Sequence, residues 1–199
     1  MKSVKVYSVK MCYEMQVDYS LDPIAQDALS FLTPILKRHS LSFGESLGIP
    51  LLEEAERIAG MWESLEKASE QDLKRNLFVV FINQRASASK SAIDSNLRTL
   101  DFFSIPHDFK FSLNPLGRDY AFVINGSLEP FFLKENEGVG RARKVPADLA
   151  LALWKQGFLE SEIHRQTDAD VRVPDTYFLT ELKKNEVAAT YPYFHTQGN

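Results

Sequence analysis

An α+β fold is what this sequence predicts: a mixed or antiparallel sheet of about four or five strands, helices packed against it, and a helical unit at the C-terminal end. Three observations lead there. Stretches whose apolar residues recur every 3.6 positions alternate with stretches where they recur every second position, so helices and half-buried strands share one chain. Positions 77–82, Leu-Phe-Val-Val-Phe-Ile, are apolar throughout, the pattern of a strand buried on both faces. Asn125-Gly126 stands between two β-rich runs, where it suits a two-residue hairpin turn.

At 199 residues the chain can bury one core with a small appended unit, but not two large domains. With 44% hydrophobic residues it has ample core material, and no apolar run reaches membrane-spanning length. The basic opening, MKSVKVYSVK, leads into alternating polar residues rather than the apolar stretch of an export signal, which predicts a cytoplasmic protein. A single cysteine, Cys12, cannot close an internal disulfide, and no Cys and His grouping has zinc-ligand spacing. Neither metal nor cofactor is expected. The net charge of −4 excludes a basic surface along the whole chain, so any nucleic-acid site must be local. Charge is uneven: positions 53–72 hold seven acids against Arg57 and Lys67, while 138–166 hold five bases against Asp148, Glu160 and Glu162.

The elements follow in order. Positions 11–19 alternate Met11, Tyr13, Met15, Val17 and Tyr19 with polar residues, a half-buried strand. Asp22-Pro23 opens a helix through a carboxylate cap and a proline suited to the first helical position. Ile24, Ala28, Phe31, Leu32 and Ile35 form its stripe, and Pro34 predicts a bend near Thr33. Ser42 and Glu45 have capping-box spacing, and Leu47, Leu51, Ala55, Ile58, Trp62 and Leu65 carry a helical period onward, which predicts a second helix, restarted at Pro50. After the central strand at 77–82 comes a third helix with Ile93, Leu97, Leu100 and Phe103. Phe109, Phe111 and Leu113 then alternate with polar residues, Asn114 to Gly117 supplies a turn, and a strand at 120–124 should pair across Asn125-Gly126 with an edge strand at 128–133.

The chain divides by this reading into an α+β core at 1–137, a basic linker at 138–145, and a helical C-terminal unit with tail at 146–199. In that unit Leu149, Leu153 and Trp154 line a helix ending at Gly157, Glu160 to Ile163 begin a second, and 175–184 form a third. Gly138-Val139-Gly140 opens like a dinucleotide fingerprint, but Arg143 stands where the third glycine would be, and no strand immediately precedes the run. His39, His107, His164 and His195 are dispersed, which predicts surface or capping roles. His107-Asp108 are adjacent without being oriented toward one another, and no nucleophile accompanies them, so no catalytic residue is assigned.

The run Leu153, Gly157, Glu162 and Ile163 resembles the helix-turn-helix pattern, in which a Leu-rich helix ends in Gly and Glu-Ile follows at the next helix start. It departs from that pattern at Leu159, His164, Thr167 and Pro174. The order strand, helix, capped helix over positions 2–65 is also similar to that of ribbon-helix-helix proteins, with Lys2, Lys5 and Lys10 as the cations available there. These resemblances imply a DNA-binding transcriptional regulator or accessory factor, not an enzyme, acting on duplex DNA as a homodimer and away from membranes. The residues expected to touch nucleic acid are Arg141, Arg143, Lys144, Lys155, Arg165 and Gln166. A separate phosphate contact is expected at Arg85, Ser87, Ser89 and Lys90, on a helix N-terminus. Two other readings stand beside it: an interaction or adaptor module using the acidic 53–72 helix and the aromatic tail, and a hydrolase or nuclease whose site is assembled from dispersed residues.

Overall fold

The computed structural model describes residues 6–10, 20–180 and 188–191, with side chains described between 20 and 180. Twelve elements appear in them: β1 (Val6–Lys10), α1 (Pro23–His39), β2 (Glu45–Leu51), α2 (Ile58–Glu70), β3 (Asn76–Asn83), α3 (Lys90–Phe102), β4 (Phe111–Leu116), β5 (Asp119–Gly126), α4 (Val139–Lys155), β6 (Ile163–Gln166), a 3-10 turn (Tyr177–Leu179) and β7 (Ala188–Tyr191). The strands form one mixed sheet in the order β4-β5-β3-β2-β6-β1-β7. The α+β class with helices packed on a mixed sheet therefore stands. The strand expected at positions 11–19, Cys12 and His195 lie outside the described residues.

The centre of the sheet is a parallel unit, β5-β3-β2-β6, flanked by antiparallel strands. β3 is buried along its whole length, as its apolar run requires. Its side chains alternate between two cores. Phe78, Val80 and Ile82 join Met61, Trp62 and Leu65 of α2 and Leu100 of α3 on one face. On the other, Leu77, Val79 and Phe81 join Leu32 and Leu36 of α1 and Leu149 and Leu153 of α4. The chain steps from β2 to β3 to β5 with α2 and α3 on the first face. It then crosses back through α4 on the second face to place β6 on the far side of β2. This change of direction makes the unit doubly wound.

The helix starts are local events. Asp22 caps α1 by accepting from the Ile24 N–H at 2.9 Å, with Pro23 in the first turn, and Ser89 caps α3 by accepting from the Ala92 N–H at 3.2 Å. α1 continues through Pro34, which is exposed, while Ala28, Leu32 and Leu36 stay buried on either side of it.

Several expected elements are replaced. The segment 45–51 is a buried strand, not the start of a helix, because Leu47, Ile49 and Leu51 face one core while Ser46, Gly48 and Pro50 face α4. A Cβ on Gly48 would lie 2.8 Å from the Pro146 Cβ, so this small residue is what lets α4 lie against the strand. The expected hairpin at Asn125-Gly126 does not form: β5 runs through both residues, and its antiparallel partner is β4, joined by Gly117-Arg118. Positions 128–133 contain no strand. Asn125 instead donates through Nδ2 to the His107 and Phe109 carbonyls, each at 3.1 Å.

Gly126 answers to close approach rather than to a turn. A Cβ there would lie 2.5 Å from the Phe81 ring and 2.7 Å from the Ile82 carbonyl oxygen. Gly126→Ala is therefore expected to lower the unfolding free energy by about 2 kcal/mol, the usual scale of overpacking. A urea titration with a loss under about 0.5 kcal/mol would show that β3 and β5 give way freely.

The basic linker expected at 138–145 is also absent, since α4 begins at Val139 and passes through Pro146. Gly157 has the positive φ, 77°, expected just beyond that helix. The second helix expected around Glu160 to Ile163 is replaced by a bend and strand β6, which pairs with both β1 and β2. The last described stretch of the C-terminal segment contains the 3-10 turn rather than a longer helix up to Thr180. No helix among the described residues is long and apolar enough to cross a membrane.

Candidate ligand-binding crevice

In a doubly wound sheet the strand order reverses at one point, and the two crossover helices leave it on opposite faces, so a crevice opens at the carboxyl ends of the strands there. Here that point lies between β2 and β6. Their ladder ends at Gly48↔Gln166, and Pro50 has no N–H with which to continue it. Beyond it lies a cavity of about 360 Å³. Its walls are the chain leaving β2 (Pro50, Leu52, Glu54), the end of β3 (Asn83, Arg85), the start of α4 (Gly138, Val139, Ala142, Arg143) and the chain leaving β6 (Asp168, Ala169, Asp170).

Each wall contributes a different chemistry. α4 has no side-chain cap on its N-terminus and no acid in its first turn, and its first backbone bond runs from the Ala142 N–H to the Gly138 carbonyl at 3.1 Å. The N–H groups before Ala142 and the positive end of the helix dipole are left for an acceptor. Arg85 is exposed beside them, with one guanidinium nitrogen donating to the Glu137 carbonyl at 3.1 Å. Across the cavity, Asp168 accepts from Arg143 Nη2 through both carboxylate oxygens, at 2.6 and 2.7 Å. Burial raises the pKa of Glu54 above its ordinary value; Arg57 opposes this, and the charges of Asp170 and Asp168 add to it.

Asn83 sits at the floor. It is 5% exposed and donates through Nδ2 to the Leu51 carbonyl at 2.8 Å, while its Oδ1 takes no hydrogen bond from the described residues. Leu52 and Val139 place exposed apolar side chains at the mouth. The chain after β2 is held open by Glu53 at φ 58°, whose N–H reaches Asn96 Oδ1 at 3.4 Å. No group of three or more His, Cys, Asp or Glu side chains among the described residues is arranged to hold a metal ion by itself.

The residues expected to touch nucleic acid are not gathered on one basic edge. Arg141 lies between Asp22, at 2.8 Å from its Nε, and Glu137, and the Asp22 hydrogen bond is the main reason its pKa is raised. Arg143 is on Asp168, and Lys144 is paired with the fully buried Asp148. Lys155 is exposed at the far end of α4. Arg165 is 1% exposed, on Glu45. Gln166 donates to the Arg143 carbonyl at 2.7 Å.

The other phosphate candidate also divides. Arg85 belongs to the crevice, Ser87 is bonded to Glu135, Ser89 is engaged as the α3 cap, and Lys90 is exposed on the first turn of α3. His164, expected at the surface, is 3% exposed between β2 and β6, and His107 pairs with Asp101 at 2.8 Å rather than working with Asp108. Sequence reasoning missed Glu54, Asn83, Asp168 and Asp170. The available signal was the acid-x-acid run at 168–170 and the glycine pair at 138–140, each of which gains meaning only beside a strand end.

A larger open groove of about 600 Å³, lined by Trp62, Phe102, Phe103 and Leu116 with Glu63 and Glu66, lies between α2, α3 and β4. Its lining contains Glu63, Glu66, Ser104 and Asn114 but no Arg or Lys. The fold is a doubly wound α+β sheet with a crevice at the point where its strand order reverses. Compared with protein-family models, curated proteins and solved structures, the chain matches none.

Proposed function

We propose that this chain binds a small phosphate-bearing ligand in the crevice between β2, β3, α4 and β6. The carrying observation is that the uncapped N-terminus of α4 opens at the point where the strand order reverses. Phosphate oxygens would accept from the N–H groups of the first turn, and the two glycines Gly138 and Gly140 leave room for close approach. Arg85 would add a charge-assisted donor. The cavity volume suits a ligand of nucleotide or sugar-phosphate size, and Leu52 and Val139 would pack against its uncharged part.

The test is a substitution that separates binding from stability. Gly140 is exposed, and an added Cβ there would meet nothing within 4 Å, so Gly140→Asp is tolerated sterically. An acid in the first turn stabilises a helix by about 0.3–1 kcal/mol through the dipole, while repelling a phosphate from the same N–H groups. The expected result is an unchanged or raised Tm together with at least about a tenfold loss of affinity for ADP and pyrophosphate, and a similar loss in Arg85→Ala. Calorimetric titration with both ligands, and with duplex DNA as comparator, reads it. Binding of duplex DNA without any response to ADP or pyrophosphate would overturn this reading in favour of nucleic-acid docking.

A further inference from the structure

The crevice has a fixed polarity. On the α4 side it offers donors, the first-turn N–H groups and Arg85 beside them. On the floor, at the carboxyl end of β3, it offers an acceptor. Asn83 lines the crevice, is 5% exposed, and donates through Nδ2 to the Leu51 carbonyl at 2.8 Å. That bond settles which way the carboxamide faces, because turning it over would set two acceptor oxygens against each other. The Oδ1 is the atom left over, and among the described residues nothing donates to it. Unlike the Asn76 Oδ1, which is sealed inside the protein without a partner, it keeps contact with solvent.

The floor is held in place by its neighbours. Asn96, 1% exposed, donates through Nδ2 to the Asn83 carbonyl at 3.1 Å and to Gln84 Oε1 at 3.2 Å, and its own Oδ1 accepts from the Glu53 N–H at 3.4 Å. The Leu133 N–H donates to the Gln84 carbonyl at 2.8 Å. These bonds pin the end of β3 to α3, to the chain leaving β2 and to the segment before α4, so the acceptor stands in a set position. A buried carboxamide oxygen without a donor is costly, and a ligand that supplies the donor removes that cost.

We propose that the ligand is a hydroxyl-bearing phosphate ester, of the sugar-phosphate or nucleotide kind, whose hydroxyl donates to Asn83 Oδ1 while its phosphate lies at the α4 N-terminus. This rests on the reading of the crevice as a phosphate site and adds what recognises the rest of the ligand. An ionised phosphate has only acceptor oxygens, so phosphate alone leaves Asn83 unpaired. A neutral donor suits the floor better than an ammonium, which would give up its water for one uncharged oxygen. The carboxylates of the wall offer an ammonium little, since Glu54 is engaged by Arg57 and Asp168 by Arg143. Sites built to take a ligand's O–H reject the analogue lacking it more strongly than apolar pockets reject a missing methylene. Asn83 is therefore the specificity-determining residue.

The experiment uses the full chain and calorimetric titration at about pH 8, where ribose 5-phosphate and n-pentyl phosphate both carry about two negative charges. The two esters share their phosphate and chain length and differ in the hydroxyls. Ribose 5-phosphate is expected to bind at least about tenfold more tightly, although the pentyl chain is the better match to Leu52 and Val139. In Asn83→Leu, which keeps a similar volume and removes the acceptor, most of that preference should vanish through weaker ribose 5-phosphate binding, with n-pentyl phosphate bound as before or better. A general loosening of the crevice would weaken both esters together, so the ratio of affinities separates recognition from support. Asn83→Ala is the second variant, used if circular dichroism shows that Asn83→Leu does not fold.

Gly140→Asp should weaken both esters alike, because it acts on the phosphate they share. Equal affinity for the two esters in the wild type, or an unchanged preference in the folded Asn83 variant, would overturn the proposal and leave the phosphate reading standing. Failure of both esters, ADP and pyrophosphate to bind would overturn both.

Discussion

Arg165→Met is expected to lower the unfolding free energy by about 3–5 kcal/mol, the scale of a broken buried ion pair. Arg165, on β6, is 1% exposed and donates through Nε to Glu45 Oε2 at 2.6 Å; Glu45, on β2, is 8% exposed. The guanidinium also donates to the Thr180 carbonyl at 2.8 Å and lies 5.3 Å from the Tyr177 ring centre, tying the C-terminal segment to the sheet. Removing the cation strands the Glu45 carboxylate in a site from which water is largely excluded. Removing both charges does not, so Glu45→Gln combined with Arg165→Met should recover much of the loss. Urea unfolding of the wild type, both single variants and the double variant measures the coupling. A loss below about 1 kcal/mol in Arg165→Met would mean that the pair contributes no more than an exposed one. The same result bears on nucleic acid: a residue this buried can alter DNA binding only through the fold, so any loss of binding in Arg165→Met should track its loss of stability.

The second large effect is on acid stability. His164 shares a hydrogen bond with Ser46 Oγ at 2.9 Å, and burial lowers its pKa from 6.5 to about 3. In the folded chain it stays neutral over a range in which the unfolded chain takes up a proton. Its contribution to stability is complete well above pH 6.5 and is lost as pH falls through 6.5 toward about 3, at up to about 1.4 kcal/mol per pH unit between the two values. His164→Gln keeps a polar side chain against Ser46 and removes the titration. Between pH 6.5 and 4.5 the wild type should therefore lose about 2.3 kcal/mol more than the variant, measured by urea unfolding at each pH. Parallel losses in the two proteins would show that the ring is protonated without unfolding.

The elements legible in the sequence were those whose cause is local. The capped start of α1 at Asp22-Pro23, the stop after α4 at Gly157, and the all-apolar β3 depend on hydrogen bonds, backbone preference and burial pattern within a few residues. The α+β class follows from them. What failed depended on partners distant in the chain. Leu47, Leu51, Ala55 and Ile58 match a helical period, yet Gly48 and Pro50 take strand geometry because α4 and β3 close on them from either side. Asn125-Gly126 has the composition of a turn, but the glycine is there because β3 leaves no room for a Cβ.

The site divides the same way. The sequence alone identified Arg85 and Arg143 as cations and the glycines before α4 as unusual, but it placed them in separate candidates. Only the tertiary structure sets them around one crevice with Glu54, Asn83, Asp168 and Asp170, because that crevice exists only where β6 crosses over to the far side of β2. It also decides which charges are available: Arg141, Lys144 and Arg165 read as a basic edge along the chain, but Asp22 and Glu45, 119 and 120 positions away, engage Arg141 and Arg165, and Asp148, one helical turn along, engages Lys144. Local sequence sets backbone preference and capping within a few residues, whereas charge pairing and cavities are settled by which distant segments the buried sheet brings together.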